Sequence, residues 1–306
     1  MVYSRRTKES FPNAALAKHF DGFLRSLRLK RPETRGTYGR ALREFLRWYP
    51  AQKRLRLERA DVERYKIHLS AERSLSAVSV STYLTALRRF CSYLVRCGVL
   101  KENPAADVSG NSRPRKHSRA ALTQGEASRL IASVEGGDER GLRDRAFIRL
   151  MLECALSEIE IIRADVGDRI RRDGTPLLRV QGKGHVQKDQ EVPLPDSVAA
   201  VLDEYLTLRV PASPEEPLFT SAGNRTRGQR MTTRGVRDRV NLYLKRAGLR
   251  DQAGRHVTPF SLRHTAALLM AGAGASADEI RERMRLGSNA TAMVYIEQSQ
   301  EQRPGS

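Results

Sequence analysis

Apolar side chains recur through the first hundred residues at the spacing of amphipathic helices. The first stripe repeats every three or four residues, in Leu16, Phe20, Phe23, Leu24 and Leu27. Similar stripes follow over residues 38–49, 61–71 and 80–94, and Pro50 and Gly98 end two of them. Four short helices in about a hundred residues predict a small helical bundle over residues 14–100, after a polar, basic arm at residues 1–13.

The periodicity stops over residues 101–120, which we interpret as a basic linker because helix breakers interrupt it at Pro104, Gly110 and Pro114. Residues 121–306 return to helical spacing, near 142–156, 158–164, 196–209, 232–247, 261–272 and 277–284. Short β-like runs at 169–171, 177–180 and 191–194 lie between these helices, the last two around a Gly182-Lys183-Gly184 turn. The predicted fold class is mainly α with a small antiparallel β-sheet.

The charge of the chain is strongly positive and unevenly distributed. There are 55 Lys and Arg against 35 Asp and Glu, which gives a formal net charge of +20 and a pI near 10.5. Residues 1–120 hold 27 of the basic and 10 of the acidic residues, so this part carries +17. Such asymmetry favours a polyanionic partner, most often a nucleic acid, and does not separate DNA from RNA. The alternative is a basic surface kept for solubility.

Other broad classes of protein fit the composition poorly. No apolar run approaches the roughly 20 residues that a membrane span needs, and the N-terminal residues lack the apolar core of a signal peptide. Three cysteines, Cys91, Cys97 and Cys154, make neither a disulfide framework nor a metal cluster. We therefore expect a soluble protein of a reducing compartment such as the cytoplasm.

Four short motifs occur in a fixed order along residues 121–306. They are Leu142-Arg143-Asp144-Arg145-Ala146, Gly182-Lys183-Gly184 with Val192-Pro193-Leu194, Leu262-Arg263-His264-Thr265, and Leu286-Gly287 ahead of Tyr295. Behind a basic helical region and a linker, this order and spacing resemble the tyrosine recombinases, also called phage integrases. The resemblance covers almost the whole chain. It implies a two-domain clamp that closes around double-stranded DNA and associates there with copies of itself or with another recombinase subunit.

The resemblance also implies a chemistry. In that family a tyrosine attacks a DNA phosphodiester and holds the strand as a 3′-phosphotyrosine, without a cofactor or metal. Tyr295 matches this nucleophile, and Arg263 matches one of two arginines that neutralise the phosphate in the transition state. His264 matches the histidine that follows this arginine, and a packing role for it is equally open. Lys183 matches the hairpin lysine that protonates the leaving oxygen, although this hairpin is longer, which keeps Lys188 as a competitor.

Three positions depart from the family's pattern. Its G-L-R-x-x-E stretch corresponds without a gap to residues 155–160, so Ser157 stands in place of the first arginine. Its H-x-L-R begins here with Phe260, and its L-G-H ends here with Ser288, with the stretch to Tyr295 about two residues short. A lost donor to the transition-state phosphate typically costs about 10²–10³ in rate, and a missing general acid or base about 10²–10⁴. The resemblance therefore predicts slow cleavage, unless a partner subunit donates an arginine.

Two functions stay open at this point. One is a divergent recombinase that serves the recombination or integration of a mobile element, with weak or partner-dependent cleavage. The other is an integrase-like protein that binds DNA without cutting it, in an architectural or regulatory role. In both, we expect basic side chains of the bundle, the linker and the hairpin to contact DNA phosphates: Arg88, Arg89, Arg113, Arg115, Lys116, Arg119 and Lys188. For the linker, the alternative is a solvated tether.

Overall fold

The computed structural model describes residues 12–30, 32–50, 56–110, 120–182, 185–209, 213–223, 226–250, 252 and 254–301. The chain divides into two compact units, residues 1–114 and residues 115–306. Each unit buries its own apolar cluster. Among the described helices, none has the length and the apolar character that a membrane crossing requires.

The described part of the first unit contains the four helices that the apolar stripes predict: α1 (Ala14–Ser26), α2 (Pro32–Trp48), α3 (Arg59–Ala71) and α4 (Ala77–Arg96). Asn13 begins α1, because its side-chain oxygen accepts a hydrogen bond from the Leu16 amide at 3.1 Å. The stripes face inward. Aromatic rings fill the centre, where Phe45 meets Tyr65 edge to face at 5.0 Å between ring centroids.

Residues just after α4 pack onto the bundle rather than forming a free linker. Ala105 and Val108 are buried in the bundle's apolar cluster. From α4, Arg88 donates Nε to the Ala105 carbonyl at 3.0 Å and Nη2 to the Val108 carbonyl at 2.8 Å. Asn103 returns a hydrogen bond to the Arg88 carbonyl at 3.0 Å. The predicted linker at 101–120 is therefore shorter in the structure, because its first part completes the packing of the first unit.

The described part of the second unit holds the helices α5 (Gln124–Ala132), α6 (Glu139–Glu153), α7 (Glu158–Arg163), α8 (Asp196–Leu208), α9 (Thr233–Arg246), α10 (Pro259–Gly272), α11 (Ala277–Arg283) and α12 (Asn289–Glu301). Between α7 and α8 lie three strands: β1 (Arg169–Arg172), β2 (Thr175–Val180) and β3 (Gln190–Pro193). They form one antiparallel sheet in the order β1-β2-β3, with Leu177 opposite Pro193. The predicted fold class, mainly α with a small antiparallel sheet, is confirmed.

Helix α6 occupies the core of the second unit and carries a buried ionic network. Asp144, which is fully buried, accepts hydrogen bonds from Arg143 Nη2 at 2.7 Å, Arg239 Nε at 2.5 Å and the Tyr243 hydroxyl at 2.9 Å. A buried carboxylate needs such partners, since an unpaired charge in the core is strongly unfavourable. The 142–146 motif of the sequence thus ties α6 to α9. A second apolar cluster joins α10, α11 and α12, and Tyr295 belongs to it.

Candidate active site

The residues that match the family's chemistry converge where α7, α10 and the end of α11 meet. At the centre is Glu160 on α7, whose side chain is 3% exposed. Its carboxylate accepts hydrogen bonds from Arg263 Nη1 at 2.6 Å and from Arg285 Nε at 2.6 Å. It also accepts from the amide and the hydroxyl of Ser157, both at 2.7 Å. We call Ser157, Glu160, Arg263 and Arg285 the Glu160 cluster.

Ser157 has a local structural role that the motif comparison does not show. It is the N-cap of α7, and with Glu160 three residues later it forms a capping box. Serine is among the best N-cap residues because its short side chain reaches the orphaned amides of the first turn. A serine at this position carries no guanidinium, so the first arginine of the family's pattern is absent at 157, as the sequence predicts.

Arg285 brings a second guanidinium to the same carboxylate, which the sequence analysis missed. Besides its bond to Glu160 Oε1, it donates Nη2 to Glu160 Oε2 at 3.2 Å and to the Ala155 carbonyl at 2.7 Å. Nη1 donates to the Arg283 carbonyl at 2.6 Å, and the side chain is only 4% exposed. Two guanidinium groups therefore lie on Glu160, and one of them comes from a position that the sequence analysis did not name.

The backbone at Arg285 explains how its side chain reaches inward. Helix α11 ends in a Schellman motif, in which the Leu286 amide bonds the Arg281 carbonyl at 2.9 Å and the Arg285 amide bonds the Glu282 carbonyl at 3.0 Å. Arg285 occupies the left-handed position of this motif with φ of 50°. Glycine is the usual residue there, and a side chain costs about 1 kcal/mol or more. Such strain persists where the surrounding contacts hold it.

Electrostatics within the Glu160 cluster favour the charged forms. Burial alone would raise the pKa of Glu160, but the Arg263 charge and the hydrogen bond from Arg285 outweigh it and lower the pKa to about 2. Burial and the neighbouring Arg285 charge lower the pKa of Arg263, while Glu160 opposes this shift. An arginine stays protonated at neutral pH in any case. Two cations and one anion leave the cluster with a net positive charge.

Tyr295 and His264 lie together beside this cluster. Their ring centroids are 5.2 Å apart, and both residues are 2% exposed. Burial raises the pKa of the Tyr295 hydroxyl, and the positive charge of Arg263 opposes that rise. Tyr295 belongs to one apolar cluster with alanines of α10 and α12, among them Ala266, Ala267 and Ala292. Tyr295, His264 and Arg263 are thus brought together, with the tyrosine covered by the fold.

The other candidate residues have varied surroundings. Lys183 lies outside the described residues, as do Arg113, Arg115, Lys116 and Arg119. Lys188 forms ion pairs with Asp165 at 2.5 Å and with Asp168. Arg88 is engaged in the first unit as described above, and Arg89 is exposed. Their assignment to DNA contacts stays a prediction.

Two of the replaced positions are at the surface. Phe260, in the first turn of α10, is 39% exposed, and Ser288 is exposed before α12.

The described residues hold no group of three or more His, Cys, Asp and Glu side chains arranged to bind a metal ion.

Comparison with known proteins connects this geometry to a family. Residues 120–302 match the model described as phage integrase family, and residues 16–97 match the phage integrase N-terminal SAM-like domain. The tyrosine recombinase XerC of Neisseria meningitidis serogroup C (strain 053442) is 29% identical over 288 residues, covering 91% of this chain and 90% of its own length. XerC of Pelobacter propionicus is 29% identical over 273 residues, covering 86% and 84%.

Solved structures show the same fold. XerH recombinase in a post-cleavage complex with its palindromic difH substrate matches with a TM-score of 0.72 and 18% identity, covering 93% of this chain and 82% of that one. A lambda integrase (75–356) dimer bound to a COC′ core site matches with a TM-score of 0.71 and 15% identity, covering 94% and 97%. With both family models matched in order and the arginine, histidine and tyrosine gathered in one place, this chain belongs to the phage integrase family, the tyrosine recombinases.

Proposed function

We propose that this protein binds double-stranded DNA and cuts and rejoins it as a divergent tyrosine recombinase, with Tyr295 as nucleophile and Arg263 on the scissile phosphate. The observation that carries the proposal is geometric: α10 places Arg263 on the Glu160 cluster and the next residue, His264, against Tyr295, with 5.2 Å between the two ring centroids. The positive charge of Arg263 also opposes the rise in the Tyr295 pKa. The same charge would favour a phosphate next to the hydroxyl.

The reaction conserves the number of phosphodiester bonds. The Tyr295 oxygen attacks the phosphorus, the bond from phosphorus to the 5′ oxygen breaks, and the strand is held as a 3′-phosphotyrosine. The tyrosine proton leaves with the attack, and the 5′ oxygen takes up a proton, for which Lys183 is the candidate donor from the hairpin. Rejoining reverses these steps. Arg263 stabilises the extra negative charge on the non-bridging oxygens during both.

The chain's departures from the family predict that this chemistry is slow. Phe260 cannot donate or accept a proton, and Ser157 cannot neutralise charge. The loss of a general acid or base alone costs about 10²–10⁴ in rate. Because groups that act as a unit do not contribute additively, the combined loss is smaller than the product of the single losses.

The relatives support DNA as the partner and more than one copy of the chain on it. The XerC relatives carry the name tyrosine recombinase, and the matched lambda integrase is described as a dimer on its core site. A transposon integrase, that of Tn1549, also matches in fold, with a TM-score of 0.68 and 17% identity over 94% of this chain and 99% of that one. We accordingly propose self-association on DNA and a role with a mobile element.

A nicked duplex tests the cleavage directly. A binding duplex is first selected from a random pool, and a series of copies is made with a nick at each successive position. Cleavage close to a nick lets a short 5′ fragment diffuse away and traps the protein on the strand. We expect a low but measurable yield of covalent protein–DNA product with the natural chain and none with Tyr295→Phe. A yield unchanged by Tyr295→Phe would refute the assignment of the nucleophile.

One observation favours the second candidate, a protein that binds DNA without cutting it. Tyr295 is 2% exposed and lies within an apolar cluster, so its hydroxyl must become accessible before it can attack a phosphate. The same duplexes decide between the two candidates. Binding that falls steeply as salt is raised, with no covalent product at any nick position, would establish the non-cutting protein.

A further inference from the structure

We propose that Arg285 supplies, within the same chain, the positive charge that the arginine absent at position 157 would bring, as a positioning residue that offsets the Glu160 carboxylate and keeps the Glu160 cluster positively charged. The inference rests on the proposed function, since it assigns a residue to the phosphate site. It makes an arginine donated by a partner subunit unnecessary.

The first support is the shared carboxylate. Ser157 Oγ lies 2.7 Å from Glu160 Oε2, and Arg285 Nη2 lies 3.2 Å from the same oxygen, while Arg263 Nη1 reaches it from α10 at 2.6 Å. A side chain at 157 and one at 285 therefore meet the same carboxylate, although they are more than a hundred residues apart in sequence. Either position is suited to deliver a guanidinium to Glu160.

The second support is the charge of the cluster. With Arg285, two guanidinium groups face one carboxylate and one positive charge is left over for an incoming phosphodiester. Without Arg285, the charge of Arg263 is cancelled by Glu160 and the cluster is neutral. Since Ser157 contributes no charge, Arg285 is the residue among the described side chains on Glu160 that makes the site attractive to an anion.

The third support is the backbone conformation of Arg285 at the C-terminal end of α11. With its glycine placed at Gly287, the family's L-G-H lies about two residues too close to Tyr295. In the structure, the left-handed position that a glycine normally fills after α11 is Arg285, and Gly287 does not have a left-handed φ. Placing the family's glycine at 285 supplies these two residues and moves the histidine position of the L-G-H from Ser288 to Leu286. Arginine thus stands where glycine is sterically preferred, which is expected of a side chain retained for its contacts.

The test is a double-mutant cycle on the full-length chain with Ser157→Arg and Arg285→Asn. Asparagine tolerates the left-handed conformation, so this variant removes the guanidinium without new backbone strain. We expect Arg285→Asn to lower the melting temperature and to lower the yield of trapped product about tenfold to a hundredfold. Adding Ser157→Arg should restore the yield, and it should recover the melting temperature apart from the loss of the Ser157 N-cap, which the Ser157→Arg single variant measures. Ser157→Arg alone should give no gain in yield, because it places three arginines around one carboxylate.

A matched control and a substrate analogue separate charge from structure. Arg283→Asn removes an exposed arginine two residues away, outside the Glu160 cluster, and should leave the melting temperature unchanged. On a duplex whose scissile phosphate is replaced by a neutral methylphosphonate, Arg285→Asn should cost little, since there is no phosphate charge left to neutralise. A purely structural role for Arg285 would reduce the reaction of both substrates equally, and that outcome would overturn the proposal.

The cycle also stays decisive if the natural chain cuts no DNA. In that event the proposed cleavage is wrong, and the melting temperatures alone test whether an arginine at 157 can replace the arginine at 285. Recovery of the Arg285→Asn loss by Ser157→Arg would support the substitution of one arginine by the other. Additive effects of the two changes, in stability or in trapped product, would refute it.

Discussion

Arg285 Nη2 donates a hydrogen bond to the carbonyl oxygen of Ala155 at 2.7 Å, and both residues hold left-handed backbone conformations, with φ of 50° and 52°. Neither is glycine. The contact joins the turn after α6 to the turn after α11, and Glu160 lies against the same guanidinium. Two strained turns thus stabilise each other across the candidate site, and the predictions below follow from this arrangement and from the first unit.

The charge of Glu160 should make stability depend on pH in the acid range. The pKa of Glu160 is lowered from an ordinary 4.5 to about 2, so its contribution is fully present above about pH 4.5 and is lost as the pH falls towards 2. The size is about 3 kcal/mol in the free energy of unfolding. We expect the stability difference between the natural chain and Glu160→Gln, measured by denaturant unfolding, to shrink over that range. A difference independent of pH would contradict this.

Substitutions of the neighbouring residues Arg88 and Arg89 should affect different properties, the stability of the first unit and the binding of DNA. Arg88→Ala removes two hydrogen bonds to the carbonyls of residues 105 and 108 and should lower the stability of the first unit by about 1–3 kcal/mol. Arg89→Ala should leave the melting temperature unchanged and reduce the salt dependence of DNA binding by about one phosphate contact. If Arg88→Ala weakens DNA binding without loss of stability, the structural role given to Arg88 is wrong.

Substitutions of the two hairpin lysines, Lys183 and Lys188, should also affect different properties, cleavage and stability. Lys188 is paired with Asp165 and with the buried Asp168, so Lys188→Ala should destabilise the second unit by about 1–2 kcal/mol. Lys183→Ala should leave thermal stability unchanged and lower the yield of trapped product about a hundredfold. The reverse pattern, with loss of cleavage in a stable Lys188→Ala protein, would assign the proton transfer to Lys188.

Replacing Phe260 by histidine should increase the rate of DNA cleavage. It is 39% exposed at the start of α10, so Phe260→His should fold normally while placing an imidazole where the family has one. We expect the cleavage rate on the nicked duplex to rise about tenfold or more. Phe260→Ala is the control and should give no increase. Equal rates for the histidine and alanine variants would show that the missing general acid or base does not limit the reaction.

The helices were predictable because each buries a stripe of regularly spaced side chains, as Leu16 to Leu27 in α1 illustrate. Arg263, His264 and Tyr295 were identified because they lie in short motifs whose residue types are dictated by the chemistry. The sequence shows that Ser157 replaces the first arginine of the family's motif, but only the hydrogen bonds of the structure show that it is the N-cap of α7.

Arg285 was not predictable from the same patterns. Its role depends on a left-handed turn at the end of α11 and on a contact with Glu160 across 125 residues of sequence. The motif comparison uses the glycine two residues later, Gly287, whereas the proposal above places the family's glycine at 285. Local spacing carries no information on such a contact, because the direction of the side chain is set by the left-handed turn after α11 and by its bonds to Glu160 and the Ala155 carbonyl.

The shared carboxylate of Glu160 constrains how sequences of this type can change over generations. Arginine at both 157 and 285 crowds three cations around one buried anion, and arginine at neither leaves a neutral pair. An exchange between the two positions therefore passes through a disfavoured intermediate, so the order of substitutions matters and the two sites should be epistatic. A search for active family members that inspects position 157 alone would therefore classify a protein with arginine at 285 as inactive, although its second arginine lies at the end of α11.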